Sequence, residues 1–124
     1  MGSKRRLSKH IIPILQKYID AYDIKTYIEP FVGGANIIKN IKCKKRVGYD
    51  INKYLIALLS YARDNELPNY VSKEEYNTVR LNKDKYPDWY VGFVGFCSTY
   101  MGELHTQLKI AWLLVDIMSF NNKL

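Results

Sequence analysis

Apolar and polar positions recur along this chain with two different periods, and the switches between them outline its elements. "LSKHIIPILQKYIDAY" spaces Leu7, Ile11, Ile14 or Leu15, Tyr18 and Tyr22 three and four residues apart, the period of an amphipathic helix, with Ser8 as its N-cap. Pro13 has no backbone N–H, so it belongs in the first turn of that helix or kinks it. After Asp23 the pattern shortens: Thr26 to Glu29 in "KTYIEPF" is rich in β-formers and stopped by Pro30, which predicts a short buried strand. Gly33 and Gly34 form a turn, "ANIIKNIK" begins a helix, and the basic loop "KCKKR" leads into a second strand, Arg46 to Asp50. Strand, glycine turn, helix and strand in that order predict a βαβ unit.

The second half of the chain reads as mostly helical. Asn52 to Asn65 places Leu55, Leu58, Leu59 and Ala62 on one face, and Leu67 to Asn69 breaks the pattern. Ser72 followed by Glu75 has capping-box spacing and predicts another short helix. "YPDWYVGFVGFCSTYMG" contains Gly92, Gly95 and Gly102 among apolar residues; it is either a glycine-faced helix packed closely on a neighbour or a loop. Glu103 to Phe120 is expected to be helical, and its most apolar part, "IAWLLVDIMSF", is too short for a bilayer and contains Asp116, which marks a buried or partner-facing helix.

A chain of 124 residues with 48% hydrophobic and 25% charged residues has a globular composition and the length of one domain. Its net charge of +7 is concentrated: residues 1 to 46 hold 11 Lys/Arg and 3 acidic residues, the remainder 8 and 9. The basic half either attracts phosphates or is a solvated face. Cys43 and Cys97 show no CxxC spacing and "LSKHIIPIL" is too interrupted for a secretory leader, so a reduced, cytoplasmic protein is expected. His10 and His105 have no zinc spacing, Glu74 and Glu75 face different directions on a helix, and most of the eleven tyrosines sit at helical spacing as core or boundary residues.

The glycine turn carries the chemistry. In a βαβ unit the end of the first strand, the turn and the helix start form a pocket whose N–H groups point outward, and glycine admits both the turn and a close ligand. Asp50, 16 residues beyond Gly34 at the end of the second strand, stands where a carboxylate accepts both hydroxyls of a ribose. An adenosine-containing cofactor is implied; no GxxxxGK[ST] supports a P-loop. Each feature singly has a structural reading, since glycine pairs after strands are common and Asp50 can cap the next helix. Order and spacing together favour the ligand.

"MGSKRRLSKHIIPIL", "YIEPFVGGANII" and "VGYDINKYLIALL" resemble, in that order, the opening motifs of the Dam-type DNA adenine methylase family, S-adenosylmethionine-dependent enzymes, particularly phage and prophage forms, and "YPDWYVGFVGFCSTY" is similar to the segment that follows. The resemblance implies an α/β, incomplete Rossmann-like methyltransferase fold with a mostly helical C-terminal part: residues 1–65 as the cofactor-binding part, 66–101 as the start of a target-recognition region and 102–124 as a diverged apolar helical tail. It implies S-adenosylmethionine as cofactor and double-stranded DNA as substrate. Gly2, Ser3 and Lys4 match the motif that contacts the methionine end of the cofactor, Lys4 pairing with its carboxylate. Glu29, Pro30, Phe31, Gly33 and Gly34 surround it, Phe31 as an apolar wall; Asp50 takes the ribose hydroxyls and Ile51 lines the adenine pocket. The family often has glycine-any-glycine where this chain has Gly33, Gly34 and Ala35.

One motif of the resemblance is missing. Family members hold the amino group of a flipped-out adenine with a DPPY-like motif, and the sequence contains none; "EPF" and "YPDW" lack its paired prolines. The chain is therefore expected to stop inside the recognition region, to carry no catalytic residue, and to be a poor methyltransferase unless a second chain supplies the rest. The alternative is a non-catalytic remnant or subunit that binds nucleic acid or a partner.

Overall fold

The computed structural model of the protein describes residues 4–97 and 115–119. The chain divides into two compact units, Met1–Ile51 with Leu113–Leu124, and Asn52–Trp112. The helix expected to close the cofactor-binding part thus groups with the helices that follow it. Among the described residues no helix is long and apolar enough to cross a membrane.

The first unit is α/β. Helix α1 (Arg5–Ala21) precedes strands β1 (Thr26–Glu29), β2 (Lys45–Asp50) and β3 (Val115–Ser119), which form a parallel sheet in the order β1-β2-β3. Both strands expected from the sequence are present, β2 one residue longer at its start, but β1 is not the buried strand expected: Thr26 and Ile28 are exposed and only Glu29 is buried. Register places Glu29 beside Gly48 and Asp50 beside Ser119. Strand β2 therefore runs past the end of β1, and Asp50 reaches the segment that leaves β1.

Strand β3 replaces part of the expected C-terminal helix. Val115 and Ile117 alternate with Asp116 and Met118, and an apolar run this short fits a strand as readily as a helix. The rest of that expectation lies outside the described residues.

No α-helix forms in "ANIIKNIK"; the link from β1 to β2 holds one 3₁₀ turn, Ile38–Asn40. Beside the backbone bonds of that turn, side chains take several of its other groups. Glu29 Oε2 accepts from the Ile38 N–H at 3.0 Å, and Arg46 Nη1 donates to the carbonyls of Ile38, Lys39 and Ile41 at 3.3, 3.3 and 3.1 Å. Those carbonyls are the ones an α-helix would use for its next turn. Ile37 and Ile41 still bury themselves, with Ile19 of α1, against Ile11, Ile12, Leu15, Tyr27 and Cys43.

Helix α1 starts earlier than Ser8. The Lys4 carbonyl accepts from Leu7 and Ser8, and the Ser8 hydroxyl donates to the Arg5 carbonyl, so Ser8 lies within the first turns and caps nothing. Pro13 is interior. The inward face is Ile11, Ile12, Leu15 and Ile19, whereas Leu7, Ile14, Tyr18 and Tyr22 are exposed. Gln16 fastens the helix to the approach to β2: its amide donates to the Lys42 carbonyl and accepts from the Lys42 N–H, each at 2.9 Å.

The second unit is helical. Asn52 caps α2 (Lys53–Asp64) by accepting from the N–H groups of Tyr54 and Leu55. Ser72 caps α3 (Lys73–Leu81) by accepting from Glu75 at 3.0 Å. The glycine-rich segment is helix α4 (Asp88–Cys97), not a loop. It lies against α2 through Gly92: a Cβ there would fall 2.2 Å from the Tyr54 carbonyl oxygen. One turn away Trp89 stacks on Tyr61 with ring centroids 3.7 Å apart, while Leu55, Leu58, Leu59, Val91, Phe93 and Val94 form the buried interior.

Candidate functional site

Lys4, Glu29, Phe31, Gly33, Asp50 and Ile51 all belong to the first unit, gathered where β1 and β2 end. Pro30 stops β1 after Glu29. The chain then turns through two left-handed residues, Gly33 at φ 50° and Ala35 at φ 59°. Gly34 does not take such a φ, so the positions with this backbone requirement are 33 and 35. Glycine meets it without cost at 33; alanine meets it at 35 against a steric penalty.

The turn satisfies its own donors. The Val32 N–H donates to the Tyr49 carbonyl at 2.8 Å, the Gly33 N–H to Asp50 Oδ2 at 3.0 Å, and the Ala35 N–H to the Val32 carbonyl at 2.8 Å. Asp50 thereby ties the end of β2 to the glycine turn. The N–H groups of Val32, Gly33 and Ala35 are thus engaged internally, and a 3₁₀ turn of three residues stands where a helix start with outward-pointing N–H groups was expected.

Glu29 stands beneath this turn with 5% of its surface exposed. Lys4 Nζ donates to Glu29 Oε1 at 3.0 Å and to the Phe31 carbonyl, while Ile38 N–H satisfies the other carboxylate oxygen. Burial pushes the Glu29 carboxyl above its ordinary range, opposed by the bonds from Lys4 and Ile38. Tyr27, pushed up to about 12 by burial and by the Glu29 charge, adds to this low-dielectric layer. Burial lowers Lys39, aided by the Arg5 charge.

Phe31 is 72% exposed and Ile51 82% exposed, one just beyond each of two adjacent parallel strands. Neither contributes to the core. Gly2 and Ser3 lie outside the described residues. Arg46, whose guanidinium holds the 3₁₀ link, and Tyr49, whose carbonyl holds the glycine turn, carry no local signal in the sequence. Among the described residues no three His, Cys, Asp or Glu side chains are grouped to hold a metal. Glu75 serves α3: its N–H is capped by Ser72 and its carboxylate accepts from the Tyr90 hydroxyl.

Comparison with known proteins covers most of this chain. The family model described as D12 class N6 adenine-specific DNA methyltransferase matches residues 1–93. The chain is 26% identical over 105 residues to the type II methyltransferase M.FokI of Planomicrobium okeanokoites, a match taking in 81% of this chain and 14% of that protein. It is 26% identical over 91 residues to the modification methylase StsI of Streptococcus sanguinis, covering 69% of this chain and 13% of that protein. The chain thus spans about one-seventh of the length of these two relatives.

Proposed function

The chain belongs to the D12 class of N6 adenine-specific DNA methyltransferases, and on that premise we propose that its first unit binds S-adenosylmethionine as the cofactor half of an enzyme that methylates the exocyclic amino group of adenine in double-stranded DNA. The parallel sheet is read as the start of a Rossmann-like methyltransferase fold. When bound, the cofactor supplies a methyl group on a sulfonium, which needs little acid–base help from the protein.

The observation that carries this reading is that exposed Phe31 and Ile51 stand just beyond the ends of two adjacent parallel strands, with Asp50 at the end of the second bound to the glycine turn. A flat adenine suits the walls, and ribose hydroxyls suit the carboxylate. The internally satisfied turn also fits: it offers few donors to a phosphate, and this cofactor has none. Lys4 is held at the Phe31 carbonyl by Glu29, a position from which its ammonium can meet the cofactor's carboxylate. Gly2 and Ser3 are assigned to the same end from the motif alone.

The amine-holding motif of the family is not among these 124 residues. In this proposal it is supplied by other sequence, in the same polypeptide or a second chain, and the residues here bind and orient. Calorimetry of the full chain with S-adenosylmethionine tests the reading. Wild type should bind, Phe31→Ala and Asp50→Ala should lose binding, and Asp50→Asn, which keeps an acceptor for the Gly33 N–H, should retain the fold while weakening binding. ATP, whose phosphates find no cradle, should compete poorly. Binding that is indifferent to Phe31 and Asp50 would refute the assigned pocket.

A further inference from the structure

The helical unit contains a half-open cleft of about 310 Å³ between the start of α2, the end of α3 and the C-terminal half of α4. Its deepest lining is apolar: Val79, Val91 and Val94 are buried. Tyr76 and Phe96 line it nearer the surface, Tyr76 being 36% exposed. At Gly95 a Cβ would meet nothing within 4 Å, so the cleft is open beside that residue.

Its rim is cationic. Arg80 and Lys83 line it and are exposed, and among the described residues neither enters an ion pair. Lys83 Nζ lies 5.7 Å and Lys53 Nζ 4.8 Å from the centroid of the Tyr54 ring, which gathers two ammonium groups at one side of the cleft. Lys53 is paired with Asp88 at 3.4 Å. Arg80 and Lys83 are therefore the cations available to a ligand.

The volume lies at the small end of ligand sites, too small for a helix or a peptide segment but suited to one ring system with its substituents. Apolar depth, an aromatic partway out and two cations at the mouth match a flat base attached to phosphate. An acidic peptide would use the cations and leave the apolar wall empty. We propose that this cleft takes one unstacked nucleotide of a DNA strand, its base against Tyr76 and the valine wall and its phosphates on Arg80 and Lys83. Only the choice of DNA as the polymer rests on the functional reading above; the cleft and its chemistry stand apart from the cofactor site.

The test is fluorescence anisotropy of the full chain with a labelled short single-stranded oligonucleotide, the same strand carrying abasic positions, and its duplex, over a series of salt concentrations. The intact single strand should bind best, because a duplex must first unstack a base. Removing the bases should cost about tenfold, the lower part of the range for base stacking. Arg80→Gln/Lys83→Gln should weaken binding at least about tenfold at low salt and reduce the slope of log affinity against log salt by about 1.4, the value for two single-strand phosphate contacts. Tyr76→Ala, and Gly95→Leu as a plug, should bind intact and abasic strands alike. Calorimetry with S-adenosylmethionine on the Arg80→Gln/Lys83→Gln protein reads the cofactor site separately and should match wild type. Absence of salt-sensitive single-strand binding, wild-type affinity and slope in the double variant, or equal wild-type affinity for intact and abasic strands would each overturn the proposal.

Discussion

Two glycines three residues apart on α4 make opposite demands, and the same substitution at each separates them. At Gly92 an added Cβ would lie 2.2 Å from the Tyr54 carbonyl oxygen, 2.9 Å from the Tyr54 carbonyl carbon and 3.2 Å from Leu58 Cβ. The first two are backbone atoms of α2 and cannot rotate aside. Reaching ordinary contact at 3.4 Å requires α2 and α4 to part by roughly 1.2 Å, which also pulls apart the Tyr61–Trp89 stack. Overpacking of this kind costs about 1–3 kcal/mol, and a backbone clash belongs at the top of that range. Alanine returns up to about 1 kcal/mol of helix propensity, so Gly92→Ala should destabilise by about 2 kcal/mol. At Gly95 the Cβ meets nothing within 4 Å and only the propensity gain remains, so Gly95→Ala should stabilise by about 0.5–1 kcal/mol. Urea unfolding followed by tryptophan fluorescence and far-ultraviolet circular dichroism measures both. A Gly92→Ala protein within 0.5 kcal/mol of wild type would refute the close helix contact, and a Gly95→Ala protein less stable than wild type would refute the open space at that position.

Other substitutions probe the first unit and the cap. Ala35→Val asks a β-branched residue to take φ 59° at a position with no exposed surface; a loss above about 2 kcal/mol in chemical denaturation is expected. Ser72→Ala removes the acceptor for the Glu75 N–H and should cost about 1 kcal/mol by the same assay. Because burial raises the Glu29 carboxyl above its ordinary 4.5, the unfolded chain releases that proton first as pH rises, and the native state loses stability from about pH 4.5 up through the raised value. Glu29→Gln removes this loss, so its melting temperature relative to wild type should climb with pH through that window; a constant difference would show that Glu29 is not the titrating group.

Elements with a strong period or a specific cap were legible in the sequence. The strand Thr26–Glu29, the helix beginning at Asn52 and the Ser72–Glu75 cap all rest on local chemistry, although Asn52 and not Asp50 caps that helix. The failures share a physical cause, competition from partners distant in sequence. "ANIIKNIK" has a helical pattern, but Glu29 and Arg46 claim its backbone groups from either side. In α1 the apolar residues occupy more than one face, and spacings of three and four alone did not show that Ile12 and Ile19 turn inward while Tyr18 and Tyr22 turn out. The run containing Val115–Ser119 was short enough to satisfy both periods, and pairing with β2 decided it. Gly92 could be suspected from the sequence; that Tyr54 is its neighbour could not.

The candidate site was legible as residues but not as an arrangement. Spacing alone set Asp50 at a ribose distance from the glycines, yet its carboxylate is also the bond that holds the turn, through the Gly33 N–H. The left-handed positions 33 and 35 restore the glycine-any-glycine spacing that the letters Gly33, Gly34 and Ala35 obscure, with alanine bearing the strain at the second place. The bonds described for this site, from Lys4 to Glu29, from Ile38 to Glu29, from Gly33 to Asp50 and from Val32 to Tyr49, join residues distant in sequence, which is why the letters alone did not show the arrangement.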